Sequence, residues 1–286
     1  MKRTALSIVA CIGVTVAQPA FAVATFLDEF KIIKNGISNW FVDSFADGAP
    51  PPSAPNFFDG SAANYFVSAT FPAGSELNGR LRIDSANGAV GVSANGTQIR
   101  THNAVLNTNV DPNNLVNGLK IDDTIVMSGV FSVVLNSGPL YSGYGIGFND
   151  GSGNLARRNE VDLQVQYSTT LLANIIRLSY QDFDNSTVST VAAIPLDTSL
   201  NADQVVLTLS RPDVNNLDLI ASYSYLLGGQ IVGGGTLGTT SIFQDRNWVR
   251  GFFFASEQQQ VPEPGSLALL AVALAGFGFL RGRARQ

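Results

Sequence analysis

From Asn64 onward the chain alternates with a period of two. Tyr65, Val67, Ala69 and Phe71 interleave with Phe66, Ser68 and Thr70, and Leu81 and Ile83 interleave with Arg80, Arg82 and Asp84. Seven longer runs follow, over Thr124–Leu135, Gly143–Phe148, Glu160–Tyr167, Ala173–Gln181, Gln204–Arg211, Leu217–Leu227 and Trp248–Ala255. Each has the length of a strand and is bounded by Gly, Asn, Asp or Pro. Asn-Gly pairs at Asn35-Gly36, Asn78-Gly79, Asn87-Gly88, Asn95-Gly96 and Asn117-Gly118 supply the positive φ that tight hairpins demand. Turn signals about ten residues apart are the spacing of an all-β sandwich or barrel. The segment Thr25–Ser44 is mixed, and the proline-rich stretch Gly48–Pro55 reads as a loop that cannot enter a sheet interior. GGQIVGGGTLG, over Gly228–Gly238, reads as a flexible loop or a glycine-broken edge strand. No window outside the two ends carries a helical stripe.

The two ends follow a different pattern. Lys2 and Arg3 precede an apolar run, Ala5–Ala17, and Ala20-Phe21-Ala22 has the small-x-small form of a cleavage site. This is a secretory leader, with maturation expected after Ala22. Ile8-Val9-Ala10-Cys11 loosely fits the box before a lipidated cysteine, but the apolar run ahead of Cys11 is short and the better site lies downstream. Cleavage after Ala22 discards Cys11, the single cysteine, and leaves no disulfide, thiol nucleophile or thiolate site.

Charge is read after the ends are set aside. Val23–Gln260 holds 12 basic and 21 acidic residues, a net charge of −9. Such a body repels nucleic acid and anionic membrane surfaces, and a neutral partner such as a glycan fits it better.

At the other end, Leu267–Leu280 is fourteen residues without a charge, followed by Arg281, Arg283 and Arg285. A spanning helix needs about twenty apolar residues, so this is a short membrane stop whose arginines stay cytoplasmic. Pro262 and Pro264 break any helix ahead of it, and the run has no polar face with which to form an amphipathic surface helix. The order Pro262-Glu263-Pro264, hydrophobic stretch and arginine-rich end resembles the PEP-CTERM sorting signal of Gram-negative bacteria. The resemblance implies recognition of Pro262, Glu263 and Pro264 by an exosortase, a membrane protease-transpeptidase. It also implies a transient C-terminal membrane helix and a host that makes exopolysaccharide. The expected organisation is a leader over 1–22, a β-sandwich over 23–257, a linker over 258–261 and the sorting signal over 262–286.

The body offers little chemistry. Glu160-Val161-Asp162-Leu163-Gln164-Val165-Gln166 is similar to the Glu-x-Asp-x-x-Glu signature of concanavalin A-like glycoside hydrolases, in which two carboxylates act as nucleophile and acid/base. Gln166 is read as the counterpart of the second Glu, and an amide can neither supply nor accept that proton. In a regular strand Glu160, Asp162, Gln164 and Gln166 share one polar face, with Val161, Leu163, Val165 and Tyr167 in the core. His102 is the sole histidine, in the polar stretch Thr101-His102-Asn103, and reads as an exposed structural residue rather than part of a triad. One histidine and no mature cysteine cannot build a zinc site. No cofactor is expected, with calcium as the alternative that hard oxygens leave open. Asp150 and Asn154 lie in the glycine-rich loop Asn149–Asn154, and Asp122-Asp123 precede a strand, though neither place has the EF-hand pattern. Trp40, Tyr141, Tyr144, Tyr180, Tyr223, Tyr225 and Trp248 could form a sugar platform wherever they are exposed.

Most of the body also resembles a concanavalin A-like (laminin G-like) lectin sandwich. The resembling features are Asp28-Glu29-Phe30 with Trp40, Tyr144–Phe148 leading to Glu160–Tyr167, Ile176–Phe183, Gln204–Arg211 and Ala221–Tyr225. The resemblance implies a jelly roll of two antiparallel sheets with glycan binding at a concave face or loop rim. The expectation is an exported, non-enzymatic protein of the cell surface or extracellular matrix that binds or organises exopolysaccharide. Its glycan contacts are expected from Glu160, Asp162, Gln164, Trp40 and Trp248. A purely structural matrix role, and a glycan-cleaving enzyme using Glu160, are the alternatives.

Overall fold

The computed structural model describes residues 22–56, 62–106, 119–120, 123–138, 140–149, 159–215, 218–241 and 248–259. All but the last residue of the expected leader, the Pro-Glu-Pro motif, the hydrophobic run and its three arginines lie outside these residues. Among the described residues no helix is long and apolar enough to cross a membrane.

The chain forms strands β1 (Ala24–Lys34), β2 (Ile37–Asp43), β3 (Ser53–Asn56), β4 (Ala62–Val67), β5 (Leu81–Asp84), β6 (Ala89–Val92) and β7 (Gln98–Leu106). There follow β8 (Leu119–Lys120), β9 (Ile125–Ser132), β10 (Ser142–Asn149), β11 (Glu160–Ser168), β12 (Ala173–Asp182) and β13 (Thr187–Pro195). The last are β14 (Gln204–Arg211), β15 (Asp218–Leu227), β16 (Gln230–Ser241) and β17 (Trp248–Gln258). One sheet has the order β16-β15-β14-β9-β1-β2 with β5 also on β1. The other runs β13-β12-β11-β10-β17-β7-β4-β3, with β6 on β7 and β8 on β17. Every pairing is antiparallel, so the body is a two-sheet sandwich.

Side-chain parity decides which face of each strand is core. β9 and β14 alternate strictly between buried and half-buried positions, as strands of a sheet with one wetter face do. From the first sheet Phe30, Ile32, Met127 and Phe131 point inward, and from the second Tyr144, Ile146, Leu163 and Phe253. Aromatic rings close the gap between them, with Phe30 and Phe253 at 5.2 Å in the edge-to-face geometry that aromatic quadrupoles favour and Phe131 and Tyr144 tilted at 5.5 Å. Gly129 and Gly251 leave room for side chains packed between the layers. A Cβ there would come within 2.8 Å of Ile146 Cγ2 and 2.7 Å of Met127 Sδ.

Several expectations change at this level. The mixed segment Thr25–Ser44 is the β1–β2 hairpin, turned by Asn35 and Gly36 at φ of 48° and 78°. Of the two readings of Gly228–Gly238 the edge strand holds, with Gly228 and Gly229 turning the chain at φ of 57° and 79° into β16. The proline-rich stretch ends in β3, which stays at a sheet edge, where the missing proline N–H costs no ladder bond. His102 is not exposed. It lies in β7 at 0% exposure, stacked on Phe71 at 3.9 Å, and its Nδ1 accepts the Asp84 N–H at 3.3 Å. Burial pushes its pKa down, so the ring is the neutral partner of a core aromatic. Its polar neighbours Thr101 and Asn103 misled because they belong to the opposite face of the strand.

Candidate functional site

On the ten-stranded sheet, the face turned away from the first sheet is also largely shielded. In β11 the residues Glu160, Asp162, Gln164 and Gln166 are 9%, 5%, 3% and 6% exposed, although they point away from the core that Val161, Leu163 and Val165 occupy. The sequence reading of one polar and one apolar face holds for these residues, whereas Tyr167, expected in the core, is half-buried outside it, and the polar face is the floor of a cleft.

Glycine makes that floor. β10 runs Ser142–Asn149 as SGYGIGFN, with Tyr144, Ile146 and Phe148 in the core and Gly143, Gly145 and Gly147 on the cleft side. A Cβ on Gly145 would fall 2.2 Å from Leu163 O and 2.7 Å from Gln164 Cα, and one on Gly147 would fall 2.4 Å from Phe252 Cζ. The bare strand lets side chains of its neighbours lie flat across it.

The flanking strands contribute in register. Asp162 faces Ser179, Glu160 faces Gln181 and Gln164 faces Arg177 across the β11–β12 ladder. Gln181 Nε2 donates to Asp162 Oδ2 at 3.0 Å and lies 3.4 Å from Glu160 Oε2, so one amide holds both carboxylates. Arg177 Nη1 donates to Gln166 Oε1 at 3.2 Å, which orients that amide. On the other side the Tyr141 hydroxyl donates to Gln164 Oε1 at 2.8 Å and lies 2.9 Å from Ser256 Oγ. Burial pushes the Tyr141 hydroxyl up to about 12, so it remains a donor at any ordinary pH.

Two adjoining hollows of about 430 Å³ and 250 Å³ occupy this face and share Tyr141, Asp162, Gln181, Ser93 and Ile99. The smaller is walled by the β6–β7 hairpin and by Phe252 and Phe254, an apolar pair with Val105. The larger extends along Gln164, Gln166 and Arg177. Amides, carboxylates, hydroxyls and one guanidinium next to aromatic edges can hold the hydroxyls and ring faces of a sugar.

Of the expected contacts, Glu160, Asp162 and Gln164 are brought together here and Trp40 is not. Trp40 is 2% exposed in β2, within the core and beneath Lys34 Nζ at 5.2 Å, so it can stack on no ligand. Trp248 opens β17, and its side chain lies outside what the structure describes. Tyr144 and Tyr225 are likewise core residues. Asp150, Asn154 and Asp122 lie outside the described residues. Asp123 is paired with Lys34 at 3.3 Å and accepts from Asn35 at 2.7 Å. Among the described residues no group of three or more His, Cys, Asp or Glu side chains could hold a metal ion.

The glycosidase-like signature also reads differently in place. Counted from Glu160, its final carboxylate falls at Val165, which is buried in the core, and the same-face positions are the amides Gln164 and Gln166. Sequence reasoning missed Arg177, Ser179, Gln181, Phe252, Phe254 and Ser256. Strand parity carried the signal, since each lies on the face opposite the core residues Ile176, Leu178, Phe253 and Ala255.

The tail is where comparison with known proteins bears. Residues 260–284 match the PEP-CTERM protein-sorting motif. The chain is therefore an exported protein handled by an exosortase-type sorting system. A search of curated proteins finds no match.

Proposed function

We propose that the protein is a non-catalytic glycan-binding component of the cell surface or extracellular matrix. Its ligand lies in the β10–β11–β12 cleft, and its sandwich is of the concanavalin A-like kind. The observation that carries this reading is the row of ordered polar side chains over a glycine floor: Asp162 and Glu160 on Gln181, Gln164 on Tyr141, and Gln166 on Arg177. Such preset donors and acceptors lose little entropy on meeting a polyol. A net charge of −9 on the mature body favours a neutral or amino-bearing polysaccharide over a polyanion. Binding without hydrolysis is supported by the last position of the hydrolase signature being the core residue Val165, by the amides at 164 and 166, and by the one carboxylate beside Glu160, Asp162, being tied to the same Gln181 amide.

Calorimetric titration with the host's exopolysaccharide, and with neutral oligosaccharides cut from it, tests the reading. Binding should be measurable below millimolar sugar, and Asp162→Asn and Arg177→Ala should each weaken it about tenfold, the effect of losing a charge-assisted hydrogen bond. Absence of binding at millimolar sugar removes the glycan assignment, and turnover of any of these glycans by the wild type removes the non-catalytic one.

A further inference from the structure

The chain enters β1 through an arrangement that lies apart from the cleft floor. Ala22 is exposed, whereas Val23 is 1% exposed with its side chain in the core. Val23 N donates to Ser85 Oγ at 2.9 Å, and Ser85 Oγ donates onward to Glu257 Oε2 at 3.1 Å. The Ser85 N–H returns to Val23 O at 2.9 Å, which fixes the residue from both sides. Ser85 and Glu257 are themselves almost fully buried. Glu257 Oε1 is held by Gln259 Nε2 at 3.0 Å and Arg100 Nη1 at 3.4 Å, while Oε2 is turned toward Ser85 and Val23. A buried backbone nitrogen thus sits one hydroxyl away from a buried carboxylate. It belongs to the residue that directly follows Ala20-Phe21-Ala22.

We propose that removal of the leader after Ala22 makes this nitrogen the α-ammonium of the mature chain, and that Ser85 and Glu257 form the site that receives it. Hydrolysis breaks the Ala22–Val23 C–N bond. Water gives its hydroxyl to the Ala22 carboxyl and a proton to the departing amine, which takes up a second proton from solvent. Cleavage occurs in the extended chain during export, before Val23 is buried. The single amide N–H is replaced by three donors, one of which keeps the Ser85 Oγ contact. The others carry a positive charge no more than about 6 Å from Glu257 Oε2. A buried ammonium without such a partner would be costly, and opposite charges at this separation away from water attract strongly. The remaining charged or titratable groups of β5 and β7 are already engaged. Asp84 of β5 accepts Ala86 N and Arg82 Nη2, His102 of β7 is neutral on Asp84 N, and Arg100 lies on the far oxygen of Glu257.

The full chain, exported and processed in a bacterial host, gives the test. N-terminal sequencing should read Val23 first. Amine-selective acetylation, followed by mass spectrometry across pH, should show the α-amine titrating above the ordinary range of about 7.7–8.0. It should react at least about fourfold more slowly at pH 8 than after unfolding in guanidinium, as a one-unit rise requires. Burial alone would move the titration the other way, which separates a receiving site from mere concealment. Ser85→Ala and Glu257→Gln should both lower the titration and the melting temperature. If Glu257→Gln fails to fold, the wild-type titration still decides. A first residue other than Val23, or an amine titrating at or below the ordinary range, overturns the proposal.

Discussion

Asp43 and Glu76 are carboxyl groups held almost out of water at one end of the sandwich, at 5% and 4% exposure. The Tyr65 hydroxyl donates to Asp43 Oδ2 at 3.0 Å, and the Phe45 and Gly48 amides donate to Asp43 and Glu76. Burial outweighs these donors and pushes Asp43 up to about 6 and Glu76 up to about 7, with Asp47 adding to the rise of both. Raised carboxyl pKa values mean that the folded state binds more protons than the unfolded one between about pH 4 and pH 7, so stability falls as pH rises through that window. Urea unfolding at pH 5 and pH 8 should differ by about 3 kcal/mol in favour of the acid side. Asp43→Asn should shrink that difference, and a stability that rises across the window would contradict the assignment. None of this is visible in the sequence, where Asp43 and Glu76 stand 33 positions apart. The same blindness placed His102 on the surface and Trp40 among candidate sugar platforms. Single polar or aromatic residues take their environment from strands that pair across long separations, as β7 does with β17.

Elements were far more legible than residues. The runs Gln204–Arg211 and Glu160–Tyr167 became β14 and β11 with their ends almost unmoved, because strict alternation flanked by turn residues admits little else. β7 and β13 escaped notice. β13 is exposed or half-buried along its whole length as an edge strand, so TVSTVAAIP needs no run of large apolar side chains to hold it. In β10 the alternation is of a different kind, glycine against Tyr, Ile and Phe, and it marks the floor of the cleft rather than a weak strand. Gly145→Ala tests this directly. Its Cβ would meet backbone atoms, Leu163 O at 2.2 Å and Gln164 Cα at 2.7 Å, which cannot swing aside as a side chain end can. Thermal unfolding should show a loss of about 2–3 kcal/mol, the cost of overpacking a tight site. Gly91→Ala, in the exposed β6 strand with nothing within 4 Å of the added carbon, should leave stability within about 0.5 kcal/mol of the wild type.

At the scale of the whole molecule, the sorting motif and the proposed glycan site lie on different stretches of chain. The cleft is lined from β6, β7, β11, β12, β13 and β17 beside the glycines of β10, and among the described residues the last strand of either sheet ends at Gln258. The sorting match begins only at residue 260. Residues 260–286 should accordingly be dispensable for the fold and decisive for destination. A chain ending at Gln259 should unfold at the same temperature as the full-length protein, within about 1 °C, since it keeps every strand from β1 to β17. In a host with an active exosortase, that shortened chain should leave the envelope fraction and appear in the medium. The full-length chain should be retained, and intact-mass spectrometry should show that it has been cut at or near Pro262-Glu263-Pro264. Changing Pro262, Glu263 and Pro264 together to alanine separates the two roles of the tail. The hydrophobic run and arginines remain to stop the chain in the membrane, while processing is lost, so the uncut protein should accumulate in the inner membrane. Release of that triple variant at the wild-type rate would show that the Pro-Glu-Pro segment is not what the sorting enzyme reads.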